Sequence, residues 1–192
     1  MSKTLTTKTP FRGSFLALVN PSLPQGETDP SKARYQLTIV LPKTDPFWKE
    51  AAAAIKATAT EKWGKVPAKF KNPIKDGDEI VDDDGELKYP EFKGCFTLQA
   101  ATKRRPGIVN AQLQPITDPD ELYSGAYYRA TMGTFAWDHP TGGKGVSFNL
   151  NNVQKVRDGE PLDGSASADK DFADFAEEEA EEGGQSADDL LG

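Results

Sequence analysis

The chain has 192 residues, 36% of them hydrophobic, with one cysteine, one histidine and a net charge of −7. That length supports one domain with a real core, and the low hydrophobic share implies that part of the chain is unstructured. The single Cys95 excludes an internal disulfide framework and a cysteine-rich zinc site, and His139 alone would leave a metal centre dependent on carboxylates.

The opening MSKTLTTKTPFRG has no apolar h-region, so no signal peptide is expected, and no stretch reaches the roughly 20 apolar residues of a membrane helix. FRGSFLALVNP (11–21) reads as a strand ending at Pro21, followed by a polar, proline-rich loop to residue 31. RYQLTIVLP (34–42) alternates, with Tyr35, Leu37, Ile39 and Leu41 on one face and Arg34, Gln36, Thr38 and Val40 on the other. In TDPFWKEAAAAIKATATEKWG, Asp45 suits an N-cap, Pro46 the first helical position and Gly64 the stop. Phe47, Ala51, Ile55 and Ala59 recur at helical spacing, which predicts an amphipathic helix packed on a sheet.

Residues 65–94 form a long mixed-charge excursion with little periodicity, of the kind that is usually functional or mobile. CFTLQAATK (95–103) resumes strand character and runs into the basic turn KRRPG; IVNAQLQPI (108–116) reads as its continuation or a partner strand. AYYRATMGTFAW (126–137) alternates strictly. Tyr127, Arg129, Thr131, Gly133, Phe135 and Trp137 share one face; Tyr128, Ala130, Met132, Thr134 and Ala136 share the other and make the better core face. After the turn DHPTGGKG a last strand spans 146–159. About five strands and one helix predict a mainly β fold, an OB-like five-stranded β-barrel with one packed α-helix.

Charge divides the chain. From Asp158 to Gly192 there are thirteen acids and one base, Lys170, a net charge of −12; the remainder carries 22 bases and 17 acids, or +5. The predicted organisation is therefore a folded domain over 1–158 and a disordered acidic tail over 159–192, interrupted by the apolar islands Phe172, Phe175 and Leu190-Leu191. A mildly basic body beside an acidic tail points to nucleic acid or a protein partner. The tail reads either as a solubilising segment or as a peptide that docks on partners or covers a basic groove.

No phosphate-binding, dinucleotide-binding, nucleophile-elbow or zinc-protease motif occurs, so no catalytic role is expected and no cofactor is implied. GDEIVDDDGE (77–86) departs from the EF-hand template and reads as a solvated loop tip. What stands above background is aromatic residues interleaved with cations, the composition that stacks bases and tracks phosphates. On the last-but-one strand these are Tyr127, Phe135 and Trp137 with Arg129. The basic turn Lys103, Arg104 and Arg105 and the segment Lys65, Lys69, Phe70 and Lys71 extend the electrostatic track. The bland alternative for each is a strand face covered by a second sheet, or a solvated turn.

GAYYRATMGTFAWD (125–138) followed by GGKGVSFNLNNVQKVRDGEPL (142–162) resembles a family of tailed-bacteriophage single-stranded-DNA-binding proteins with an OB fold. The resemblance rests on a glycine, an aromatic strand with an arginine, and a G-[KR]-G-[VI]-S-x-x-L-N-x-[VIL]-Q turn and strand. It implies sequence-independent binding of single-stranded DNA in phage replication or recombination, within the cytoplasm of the infected bacterium. It further implies that phage or host replication proteins meet the acidic tail. Within the matching block it singles out the strand aromatics and Arg129. The rival from another class is an acidic protein-interaction module, a DNA mimic or a structural phage protein without affinity for nucleic acid. The oligomeric state, a homodimer included, and the choice of DNA over RNA are left open.

Overall fold

The polar and apolar faces read from the sequence sort into the outside and inside of a ring of strands. The computed structural model describes residues 4–162. In chain order these form β1 (Leu5–Thr6), β2 (Phe11–Ser22), β3 (Arg34–Pro42), α1 (Phe47–Trp63), β4 (Phe70–Lys71), β5 (Ile74–Asp76), β6 (Cys95–Thr102), β7 (Gly107–Val109), β8 (Tyr127–His139) and β9 (Gly143–Arg157). The expected acidic tail beyond residue 162 lies outside the described residues.

Five long strands carry the architecture. β2 pairs antiparallel with β3, β3 with β6, and β8 with β9, while β6 runs parallel to β9. Phe11 and Arg12 of β2 pair with Tyr128 and Tyr127 of β8, so the pairings return to their start and close a ring in the order β2-β3-β6-β9-β8. This is the five-stranded, OB-like, mainly β arrangement with a single helix that the element count implies. The short strands β1, β4, β5 and β7 attach to its margins.

Alternation puts Leu37, Ile39 and Leu41 of β3, Leu98 and Ala100 of β6, Tyr128, Ala130 and Met132 of β8, and Val146, Phe148 and Leu150 of β9 into one core. The face carrying Tyr128 to Thr134 is thus the buried one, as its small and apolar side chains require. α1 covers this core with Phe47, Trp48, Ala51, Ile55 and Ala59. The Thr58 and Thr134 hydroxyls, 2.6 Å apart, join it to β8. Pro46 already has helical torsions, and the Asp45 carboxylate accepts from Phe47 N at 2.9 Å, so the expected cap works one residue ahead of the regular helix. Gly64 ends the helix in the left-handed region at φ 75°.

Two stretches differ from expectation in detail. The excursion 65–94 is ordered: it contributes β4 and β5, buries Phe92, and is tied down where Lys43 Nζ meets Asp76 at 2.6 Å and Asp78 at 2.7 Å. Its contacts are long-range, which is why local periodicity does not show them. Residues 108–116 form only the short β7 and a turn: the Asn110 side chain accepts from Gln112 N and Gln114 N, reversing the chain so that Ile116 N donates to Ile108 O.

Candidate nucleic-acid interface

The outward faces of β3 and β6 are polar and uncharged at their centre. Gln36 and Thr38 stand beside Thr97, Gln99 and Ala101, and Gln99 Nε2 donates to Gln36 Oε1 at 2.9 Å. Over this floor lies an open groove of about 830 Å³. One wall comes from Phe15 of β2 and Leu23, Pro24 and Gln25 of the loop after it, the other from the 65–94 excursion, and Trp137 of β8 closes one corner. Three partly exposed rings, Phe15, Tyr89 and Trp137, and three cations, Arg34, Lys71 and Lys75, line it; among the described residues no carboxylate does.

Each ring is held by its surroundings. The β2–β3 register slips between Ser14 and Ala17, and at this bulge Phe15 takes φ 49° and turns outward, 45% exposed. Its ring meets Tyr89 edge-on at 5.1 Å, and both lean on Phe92. The Trp137 Nε1–H donates to Ser147 Oγ at 3.0 Å, its ring rests over Gly145, and Lys71 Nζ lies 5.9 Å from the ring centroid. Lys71 reaches that position because β4 pairs parallel with β9 at Lys144 and Gly145.

The structure divides the residues that the sequence singled out. Trp137 and Lys71 line the groove. The exposed turn Lys103, Arg104 and Arg105 follows directly on β6, whose last pair with β3 is Tyr35↔Thr102 next to Arg34, and lies outside the groove lining. Phe70 packs against Trp63 at 6.5 Å rather than entering the groove, and Lys65 and Lys69 are exposed outside its lining. Phe135 is 44% exposed on β8 outside the groove lining. Tyr127 and Arg129 lie at the far end of β8: the Arg157 guanidinium stacks 3.7 Å from the Tyr127 ring centroid, and Arg129 Nε donates to Lys8 O at 2.9 Å.

Sequence reasoning missed Phe15, Arg34, Lys75 and Tyr89 as groove residues. Arg34 had a signal, since it opens the polar face of the alternating 34–41 pattern that also carries Gln36 and Thr38. Phe15 and Tyr89 had none, because a bulge and a long-range excursion bring them together.

Close to Tyr127, the chain after β9 is held against the body. The Tyr123 hydroxyl donates to Asp158 Oδ1 at 2.9 Å, Lys155 Nζ pairs with the same carboxylate at 2.7 Å, and Arg12 donates to Glu160 O at 2.7 Å. Lys155 first and Tyr123 second hold the Asp158 carboxyl below the usual aspartate range. Burial pushes the Tyr128 hydroxyl far above the usual tyrosine range, so it stays protonated, donating to Tyr123 O and accepting from Tyr123 N.

Among known proteins, the family model described as Enterobacter phage Enc34, ssDNA-binding protein, matches residues 3–183. Protein p50 of Acyrthosiphon pisum secondary endosymbiont phage 1 is 33% identical over 177 residues, spanning 89% of this chain and 94% of the relative. The fold matches the single-stranded DNA-binding protein from bacteriophage Enc34, solved in complex with ssDNA, with TM-score 0.67 and 22% identity over 83% of this chain and 89% of that one. It also matches gp2.5, a single-stranded DNA-binding protein encoded by bacteriophage T7, with TM-score 0.56 and 16% identity over 97% of this chain and 100% of the other. The chain therefore belongs to the family of the Enterobacter phage Enc34 ssDNA-binding protein.

Proposed function

We propose that this protein binds single-stranded DNA, without reading its sequence, along the groove across β3 and β6, in phage replication or recombination inside the infected bacterium. The observation that carries the reading is the groove lining: Phe15, Tyr89 and Trp137 as stacking surfaces, Arg34, Lys71 and Lys75 for phosphates, and no carboxylate among the described residues. Base–aromatic stacking contributes about 1–3 kcal/mol per base whatever the base, while the cations supply the salt-dependent part. The role is binding, not catalysis. The basic turn 103–105 prolongs the phosphate track from Arg34.

The acidic segment 159–192 acts in this reading as a tail whose first residues, to Leu162, are held on the body, meeting replication or recombination proteins and competing with DNA for the basic groove. Its charge supports this: −12 from Asp158 onward beside a body at +5. Ending the chain after Leu162 is expected to tighten DNA binding at low salt, and unchanged affinity would remove the competition.

The direct test is a fluorescence titration with an oligothymidylate at low and moderate salt. Saturable quenching that weakens with salt is expected. The triple change Phe15→Ala, Tyr89→Ala, Trp137→Ala should reduce affinity at least 100-fold, from about 1–3 kcal/mol per lost stack, with the circular dichroism spectrum retained. Full affinity in a folded triple variant would move the site elsewhere, and no binding at low salt would overturn the function.

A further inference from the structure

The outward face of β8 is only partly used by the groove. Trp137 belongs to it, but Tyr127 lies ten residues earlier along the strand, a separation of about 33 Å at strand rise. Around Tyr127 the ring of strands assembles a second group from three neighbours. Arg12 of β2 and Arg157 of β9 each pair with Tyr127 in register, and Arg129 follows two residues later on the same face. Arg12, Arg129 and Arg157 make no ion pair among the described residues. Instead they are held by neutral partners. Arg12 donates to the carbonyls of Gly125 and Glu160, Arg129 to that of Lys8, and Arg157 lies on the Tyr127 ring. Asp158, next after Arg157 in sequence, is already taken by Lys155 and Tyr123.

Planar guanidinium groups held in place with their charge unspent suit phosphate oxygens, and a guanidinium stacked on an aromatic ring offers its outer face to a base. The patch is also within reach of the groove. On β2, Arg12 precedes Phe15 by three residues, about 10 Å of extended chain. We infer that Arg12, Tyr127, Arg129 and Arg157 form a second binding surface for single-stranded nucleic acid, taking the strand that leaves the groove past Phe15. This rests on the groove reading and extends the footprint beyond it.

The test compares a short strand with a long one on the full chain. Oligothymidylates of about 4 and about 30 nucleotides stand at the lower limit of, and well beyond, the roughly 4–16 nucleotides that one such fold covers. Arg129→Gln with Arg157→Gln should leave the short strand's affinity within twofold and weaken the long strand at least fivefold. The long strand's log–log salt slope should become shallower by about 1.4, at about 0.7 for each phosphate no longer neutralised. Short-strand binding reports that the variant is folded. Arg157→Lys, which keeps the charge and loses the planar stack, should fall between.

A second, labelled short strand offered to protein already saturated with the first distinguishes the source. Capture of a second equivalent, lost in the double variant, assigns the patch to a separate strand. No capture, with the long-strand loss, assigns it to the same strand continuing; both uphold the surface. A double variant indistinguishable from the parent on long strands overturns it, whatever else touches the patch. If the parent binds neither length, it is the groove reading that fails.

Discussion

At the residue scale, two positions separate stability from binding. The Tyr128 hydroxyl is buried and satisfies both the N–H and the carbonyl of Tyr123. Tyr128→Phe removes it and leaves both backbone groups without their partner, a cost of about 1–3 kcal/mol. Urea unfolding should show that loss while oligothymidylate affinity at saturating folded fraction is unchanged, because Tyr128 faces the core. Gly145 behaves oppositely. A Cβ there would overlap the Trp137 ring, so Gly145→Ala must displace the indole from its seat beside Ser147. Binding should weaken roughly tenfold, about one stacking interaction, with less tryptophan quenching. Unaltered quenching would show that Trp137 does not meet the bases.

Among the elements, the 65–94 excursion decides whether the groove has a second wall. It supplies Lys71, Lys75 and Tyr89, and the Lys43 ammonium pins it through Asp76 and Asp78. The Lys43 hydrogen bond first and the Gly94 N–H second hold the Asp78 carboxyl below the usual aspartate range. A carboxyl depressed in the folded state stabilises above its unfolded pKa and loses that contribution as pH falls through the folded value. Asp76 first and Asp78 second raise Lys43, whose contribution is lost only as pH climbs through a value above the usual lysine range. The lock is therefore complete at neutral pH and fails on the acid side, below the ordinary aspartate range. Lys43→Met should accelerate amide exchange over residues 76–94 at neutral pH and leave the paired β3–β6 amides protected. Uniform acceleration across β3 and β6 would mean that the lysine supports the whole ring instead.

For the molecule as a whole, net charge is a poor guide, because the −7 total conceals a basic body. In the proposed groove reading, a short strand would meet Arg34, Lys71 and Lys75. With about 0.7 counterions released per phosphate neutralised on single strands, the log–log salt slope should be about −2. A titration between low and moderate salt reads this directly. A slope near zero would assign binding to stacking alone, and one steeper than about −4 would bring in the 103–105 turn or the Arg129 and Arg157 patch. Among the described residues no helix is long and apolar enough to cross a membrane.

The sequence by itself determined what local rules govern. The helix with its Asp45 and Gly64 ends, the buried faces of 34–42 and 126–137, and the charge division near residue 158 all follow from neighbours within a few positions. The block from 125 to 162 carried the family resemblance on the same local grounds. Only the tertiary structure decided where the aromatic residues go. Strict alternation placed Tyr127 and Trp137 on one face, yet β8 is long enough to carry them to different sites. Phe15 enters the groove because a bulge reverses its direction, and Tyr89 because an ion-paired excursion folds back beside it. Ring closure between β2, β8 and β9 then gathers Arg12, Tyr127 and Arg157 from distant parts of the chain, and no periodicity along a single strand encodes that meeting.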